Sequence, residues 1–231
     1  MSEAGLTRPP PVLAIDGPGG AGKGTVSRLV AGRLGWHLLD SGALYRLVAL
    51  DARQRGLGFE AEQAVAELAA RLDAQFQSQG DQTRILLNGL DVTEAIRSEA
   101  VGDGASRVAA VPGVRRSLVE RQRQFRQPPG LVADGRDMGG VIFPDAALKV
   151  FLTASLEERA LRRHKQLKDK GIDVSLSALS RDMVERDRRD SARAIAPLKA
   201  CDDARILDTT GIDVPEVVAI VLGWVAERVV P

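Results

Sequence analysis

The stretch Gly17-Pro18-Gly19-Gly20-Ala21-Gly22-Lys23-Gly24-Thr25 carries the densest chemistry in this chain of 231 residues. Its glycines let the backbone aim N–H groups at an anion without side-chain clash. The spacing G-x-x-x-x-G-K runs from Gly17 to Lys23 and places the lysine to reach the β- and γ-phosphates of a nucleotide. The Ser or Thr that usually comes next is displaced: Gly24 follows, with Thr25 one further on. Before the loop, the apolar run VLAID (12–16) fits a buried strand. After it, Val26, Leu29, Val30 and Leu34 share one helical face. Strand, glycine loop and helix form the context that a phosphate loop requires, and the positive end of the helix adds to the anion site.

Binding phosphate does not say what is done with it. A kinase needs a second pocket for an acceptor, whereas a nucleotide switch needs a base-reading signature. The guanine-reading Asn-Lys-x-Asp motif is impossible here, because the only asparagine is Asn88 and Gly89 follows it. An ATPase working on nucleic acid fits poorly with 32 Lys+Arg against 31 Asp+Glu, a net charge of +1 and 3% aromatic residues. Three further clusters speak for an acceptor pocket: DSGALYR (40–46), DGRDMG (134–139) and RDRRDSAR (186–193). The first two begin where strands end, the side on which ligands bind in open parallel sheets. Arg46 and Arg136 are therefore candidate ligands for a phosphate monoester, which planar guanidinium groups clamp bidentately. Arg186, Asp190 and Arg193, at i, i+4 and i+7, are expected to share a helix face. The segment 114–126 is also arginine-rich, and most of those charges are expected to be solvated.

The elements that must position these groups follow from periodicity. Short apolar runs at 12–16, 37–40, 131–135, 148–155 and 204–209 read as strands separated by helical stretches, hence a parallel sheet covered on both faces. At 74–79, 83–87 and 90–92 the period changes to two. Gly80-Asp81 and Asn88-Gly89 lie between these runs, so a small antiparallel island is expected. Glu94 to Gln127 reads as helical with a break near Pro112-Gly113, and Leu156 to about Arg193 as one long charged helical stretch. Cys201 is alone, and with only His37 and His164 beside it a zinc site is unsupported; a small buried thiol is expected. The N-terminal MSEAGLTRPPP lacks the apolar core of a signal peptide. The longest apolar run, Val217 to Ala226, is far short of the roughly 20 residues that span a bilayer. A cytoplasmic protein without membrane or nucleic-acid partners is the expectation.

Taken together, GPGGAGKGT, LLDSGALYR, ADGRDMGGVIFPDA and ERDRRDSARAIAPL resemble the bacterial cytidylate kinases, the (d)CMP kinases among the nucleoside monophosphate kinases. The similarity runs in order from about Val12 to Gly211 and includes the Gly24-Thr25 ending; Gly140 stands where many relatives carry Thr. The resemblance implies one P-loop kinase domain over 1–231: an α/β fold with a five-stranded parallel sheet flanked by helices, an inserted antiparallel CMP-binding subdomain over about 66–108, and a lid over about 156–190. The charged stretch Leu156–Gly171 would offer Arg159, Arg162, Arg163, Lys165 and Lys168 to the triphosphate. It implies ATP with Mg²⁺, phosphorylation of CMP or dCMP, and a monomer; the alternative is a P-loop kinase for UMP or another small phosphate acceptor. By the same resemblance Gly17 to Thr25 bind ATP, while Ser106, Arg115 and Asp137 read the cytosine. Arg46, Arg136 and Arg193 clamp the CMP phosphate, Arg186 and Asp190 contact the sugar, and Ser41 lies on the phosphate side. Lys23, Arg136 and Arg193 are the catalytic candidates, and Asp134 would orient Mg²⁺ through water.

Overall fold

A computed structural model describes residues 9–79 and 82–229; the N-terminal extension through Arg8, and Gly80-Asp81, expected as a turn, lie outside the described residues. In chain order the elements are β1 (Val12–Asp16), α1 (Lys23–Leu34), β2 (His37–Asp40), α2 (Ser41–Gln54), α3 (Glu62–Ala70), β3 (Ala74–Gln79), β4 (Gln82–Leu87) and β5 (Leu90–Asp91). They continue with α4 (Glu99–Val108), α5 (Pro112–Arg123), β6 (Leu131–Asp134), β7 (Leu148–Thr153), α6 (Leu156–Asp169), α7 (Leu176–Ser191), β8 (Arg205–Asp208) and α8 (Val214–Arg228). The main sheet is parallel, in the order β2-β6-β1-β7-β8, and β3-β4-β5 form a separate antiparallel sheet.

β1 is buried on both faces, and its alternation splits the interior into two apolar layers. Val12 and Ala14 join Leu39, Leu131 and Ala133 under α2, α3 and α5, and this layer continues without a break to Ile85 and Leu87 of the small sheet. Leu13 and Ile15 join Val132, Val150 and Leu152 under α1 and α8. Polar caps start several of the helices. Asp40 accepts from the Ala43 N–H at 3.0 Å, and Ser155, Ser175 and Asp213 do the same for α6, α7 and α8. Among the described residues, no helix is long and apolar enough to cross a membrane.

Some expected elements divide differently. The stretch from Glu94 becomes a single 3₁₀ turn at Ala95–Arg97, then α4 and α5, because Ser98 caps a fresh helix and Pro112 starts another. The long charged stretch breaks at Lys170–Ser175, where Gly171 adopts a φ of 73° and Ser175 caps α7. A π-helical turn at Met138–Ile142 has no signature in apolar periodicity. Cys201 is only half-buried, since it sits in the segment leading to the edge strand β8.

The phosphate loop leaves β1 through Gly17, whose φ is 146°. A Cβ there would lie 1.9 Å from the Leu152 carbonyl oxygen on the neighbouring β7. Gly17→Ala is expected to lower the unfolding free energy by about 3 kcal/mol, the scale of a backbone clash at a constrained site. Urea unfolding followed by circular dichroism checks this; an unchanged midpoint would mean that the two strand ends part without cost.

Candidate active site

The carboxyl ends of β1, β6 and β2 bring Asp16, Asp134 and Asp40 to one edge of the sheet, with Asp134 in register opposite both Ile15 and Asp40. The glycine loop folds over this edge. Gly20 and Gly22 take positive φ values, and Gly22 precedes α1 without a capping side chain, so the first amides of α1 stay open to an anion. Lys23 is buried and curls back to donate from Nζ to the Pro18 carbonyl at 2.9 Å. Burial, reinforced by Arg136, pushes its ammonium well below the ordinary lysine range, and Asp134 opposes that push. Burial drives the Asp134 carboxyl upward in turn. The two face each other away from water, and a polyphosphate would supply the counter-charge that keeps the lysine protonated. A Cβ on Gly24 would be 3.4 Å from Asp134 Oδ2, so this carboxylate faces the first turn of α1, where Thr25 is exposed.

Across the cleft the arginines converge. A Cβ on Gly102 of α4 would stand 3.2 Å from Arg46 Nη2 and 3.5 Å from Arg186 Nη1, which places both guanidinium groups over one small residue. Arg186 Nε and Arg193 Nη2 are buried with no hydrogen-bond partner among the described residues. Burial, then the charges of Arg136 and Arg46, push Arg186 down to about 10. Asp190 is the nearby counter-charge, with Oδ2 3.4 Å from Arg136 Nε. Asp40, Glu99 and Asp137 also act on these cations, yet two guanidinium nitrogens stay without a partner, a cavity that suits a doubly charged anion.

Beside this cluster Arg115 and Asp137 form a fully buried ion pair, and Arg115 lies 5.8 Å from the centroid of the Tyr45 ring. Burial raises the Asp137 carboxyl even though Arg115 pulls it down. Ser106, expected with Asp137 as a cytosine reader, donates to Asp190 Oδ1 at 3.0 Å. Asp190, expected at a sugar, thereby holds both Ser106 and Arg136. Ser41 donates to Gln122 Oε1 at 2.6 Å. Arg193 is not on the helix face shared by Arg186 and Asp190. α7 ends at Ser191, and the chain folds back so that Leu198 N–H and Arg193 Nε both donate to the Asp190 carbonyl, at 2.9 and 3.1 Å.

The acceptor-side residues, Asp134, and the loop from Gly19 to Thr25 line one continuous cleft of about 2780 Å³. That exceeds the 300–1,000 Å³ typical of a single small-ligand pocket and leaves room for two nucleotides. Three of the five cations expected in a lid, Arg159, Arg162 and Arg163, are engaged elsewhere. Arg159 donates to the Gly19 carbonyl at 3.1 Å and pairs with Asp187 at 2.6 Å. Arg162 holds Thr209, and Arg163 pairs with Glu99. Sequence reasoning missed Asp16, Tyr45, Gln122 and Asp187. The one available signal was a carboxylate, Asp16, ending an otherwise apolar strand directly before the glycine loop.

A family model described as cytidylate kinase matches residues 13–227. A cytidylate kinase of Pseudomonas paraeruginosa is 60% identical over 222 residues, covering 93% of this chain and 97% of its own. One from Aeromonas salmonicida is 55% identical over 218 residues, covering 94% and 95%. Among solved structures, an uncharacterized protein from Eubacterium ventriosum superposes with a TM-score of 0.53 at 13% identity, covering 94% of this chain and 99% of its own; this is a likeness of fold alone.

Removing one partner of the Arg115–Asp137 pair strands a buried charge. Arg115→Met is expected to cost about 3 kcal/mol of stability near pH 8. The loss should shrink as the pH falls toward the ordinary carboxylate range, because burial holds the Asp137 carboxyl above that range and the stranded group takes up a proton in the folded chain before it does so in the unfolded one. Urea titrations of wild type and variant at pH 8 and pH 5 measure the difference; a penalty independent of pH would assign it to packing instead.

Proposed function

The chain belongs to the cytidylate kinase family, a phosphotransferase acting on CMP and dCMP with ATP, and we propose that its two-ended cleft performs that transfer with the residues described above. The observation that carries the assignment of the acceptor end is the pair of buried, unpartnered guanidinium nitrogens on Arg186 and Arg193, in the same cleft as the glycine loop. In this reading Gly17 to Thr25 take the ATP triphosphate. Arg46, Arg136 and Arg193 clamp the CMP phosphate, with Arg186 beside Arg46 and Asp190 holding Arg136 at the sugar side.

The base is read by Asp137 and Arg115, with Ser106 nearby on α4 and held by Asp190. Cytosine presents an amino donor beside ring and carbonyl acceptors. Asp137 can accept from the amine while Arg115 donates to the acceptors. Uracil would aim a carbonyl at the Asp137 carboxylate, and a buried polar group left unpaired is a strong discriminator. UMP is therefore the disfavoured acceptor.

The attacking group is a phosphate oxygen that is already anionic, so no general base is required. Lys23, Arg136 and Arg193 stabilise the negative charge that develops on the transferred phosphoryl group and keep donor and acceptor in line. ATP enters as its Mg²⁺ complex. The exposed Thr25 hydroxyl and the Asp134 carboxylate facing the first turn of α1 fit such an oxygen-preferring ion, which keeps several waters. When bound it supplies charge neutralisation at the phosphates. The segment 66–108 would act as the CMP-binding insert and 156–190 as the lid, excluding water while both nucleotides are held. We read the protein as a cytoplasmic monomer acting on free nucleotides, in keeping with its net charge of +1.

An ADP-release assay across CMP, dCMP, UMP and AMP tests the assignment: rapid release with the cytidine nucleotides and slow release with UMP is expected, and silence with all four would refute it. Lys23→Ala should slow turnover roughly a thousandfold, the scale of losing one preorganised donor to developing charge. Asp137→Ala should raise the KM for CMP by roughly a hundredfold, in line with a lost charged hydrogen bond, while ATP affinity stays within a few-fold. Equal loss of both affinities would remove Asp137 from the base pocket.

A further inference from the structure

One buried carboxylate belongs to neither nucleotide pocket and touches the frame of both. Asp16 ends β1, is 6% exposed, and is followed directly by Gly17, the root of the phosphate loop. Its two carboxylate oxygens point the other way. Oδ1 accepts from Met138 N–H at 2.8 Å and Oδ2 from Gly139 N–H at 2.9 Å. These amides follow immediately after Asp137 and open the π-helical turn Met138–Ile142, which has no capping side chain of its own. The first N–H groups of such a turn must find acceptors elsewhere, and β1 provides them.

We propose that Asp16 is a positioning residue for the acceptor pocket: its carboxylate ties the turn carrying Arg136 and Asp137 to the root of the phosphate loop, so that the base reader and the ATP loop are set by one strand end. The inference rests on the reading of Asp137 as base reader. Close packing makes the tie stiff. A Cβ on Gly139 would meet Lys149 Cδ at 2.9 Å, and one on Gly135 would meet the Met138 side chain at 2.7 Å, so the turn is wedged on both sides. A shift of the carboxylate therefore moves Asp137 rather than being absorbed by slack.

The charged and titratable groups facing Asp16 are Asp137 in the turn, Lys23 on α1, Asp134 at the end of β6, Lys149 on β7 through its stem against Gly139, and Cys201 before β8. Burial raises the Asp16 carboxyl to about 6, against the pull of its two amide donors. Protonation would turn an acceptor oxygen into an O–H opposite an N–H and loosen the tie.

Asp16→Asn keeps the shape and one acceptor but sets an amino group against one of the two amides. We expect the KM for CMP to rise about tenfold, the KM for ATP to change less than twofold, and the preference for CMP over UMP to fall by a similar factor of about ten. An unchanged KM for CMP, or equal rises for CMP and ATP, would overturn the proposal. Wild-type turnover of CMP in the same series judges the functional reading separately. Should the variant fail to fold, ligand-free wild-type protein decides the matter. Amide exchange across 136–142, corrected for intrinsic chemistry, should quicken at least about tenfold as the pH falls from 7.5 to 5. Unchanged protection would show that the carboxylate is not what holds the turn.

Discussion

Positive charge kept from water without enough carboxylate to balance it is the constraint on which this structure turns. Arg46, Arg136, Arg186 and Arg193 gather with Asp190 as their near counter-charge, and Lys23 is buried opposite Asp134. Such a cluster costs folding energy in the empty protein, because each guanidinium gives up hydration for partial pairing. The rest of the chain must therefore hold it in place. The two apolar layers on either face of β1 supply that rigidity, and they reach the site directly, since Asp16, Asp40 and Asp134 are the last residues of buried or half-buried strands. Charged nucleotides relieve the imbalance on arrival, which turns a folding liability into binding energy.

The parts of the site legible in the sequence are those in which chemistry and backbone are written in consecutive residues. The glycine loop is one, because its turn, its lysine and its flanking strand and helix are contiguous. Strand ends are equally plain: DGRDMG follows β6 directly and brings Asp134, Arg136 and Asp137 to the cleft, whereas Arg46, expected at a strand end, lies in the second turn of α2 and reaches the same cleft from there. Partnerships across the fold were not legible. Ser106 and Asp190 are 84 positions apart, and Ser41 and Gln122 are 81 apart. Nothing in local pattern chooses one polar partner over another at such range. Arg193 fell off its expected helix face because the end of α7 is set by a fold-back that delivers Leu198 to the Asp190 carbonyl, a tertiary event. Asp16 looked like the terminus of a strand, and only the register of β1 beside β6 and the turn after it reveals what its oxygens hold.

The same distinction orders the contacts of α6, α7 and Lys170 with the segment 94–103, which includes the start of α4. Arg163 pairs with Glu99, Arg189 with Asp103, and Lys170 Nζ lies 2.8 Å from Glu94. All three bridge elements far apart in sequence, and all are at least partly exposed. Exposed pairs of this kind each contribute on the order of 0–1 kcal/mol and weaken further with salt. Their sum is small beside what a triphosphate and a phosphate monoester gain on meeting buried guanidinium groups and open helix amides. They can therefore set the direction in which the 94–103 segment meets α6 and α7 without deciding whether it stays there. That decision falls to the charge in the cleft. Stability is thereby divided: the interior that positions Asp137, Arg136 and Lys23 is stiff and apolar, while these outer pairs between the 94–103 segment and α6 and α7 are contacts that water and salt compete for.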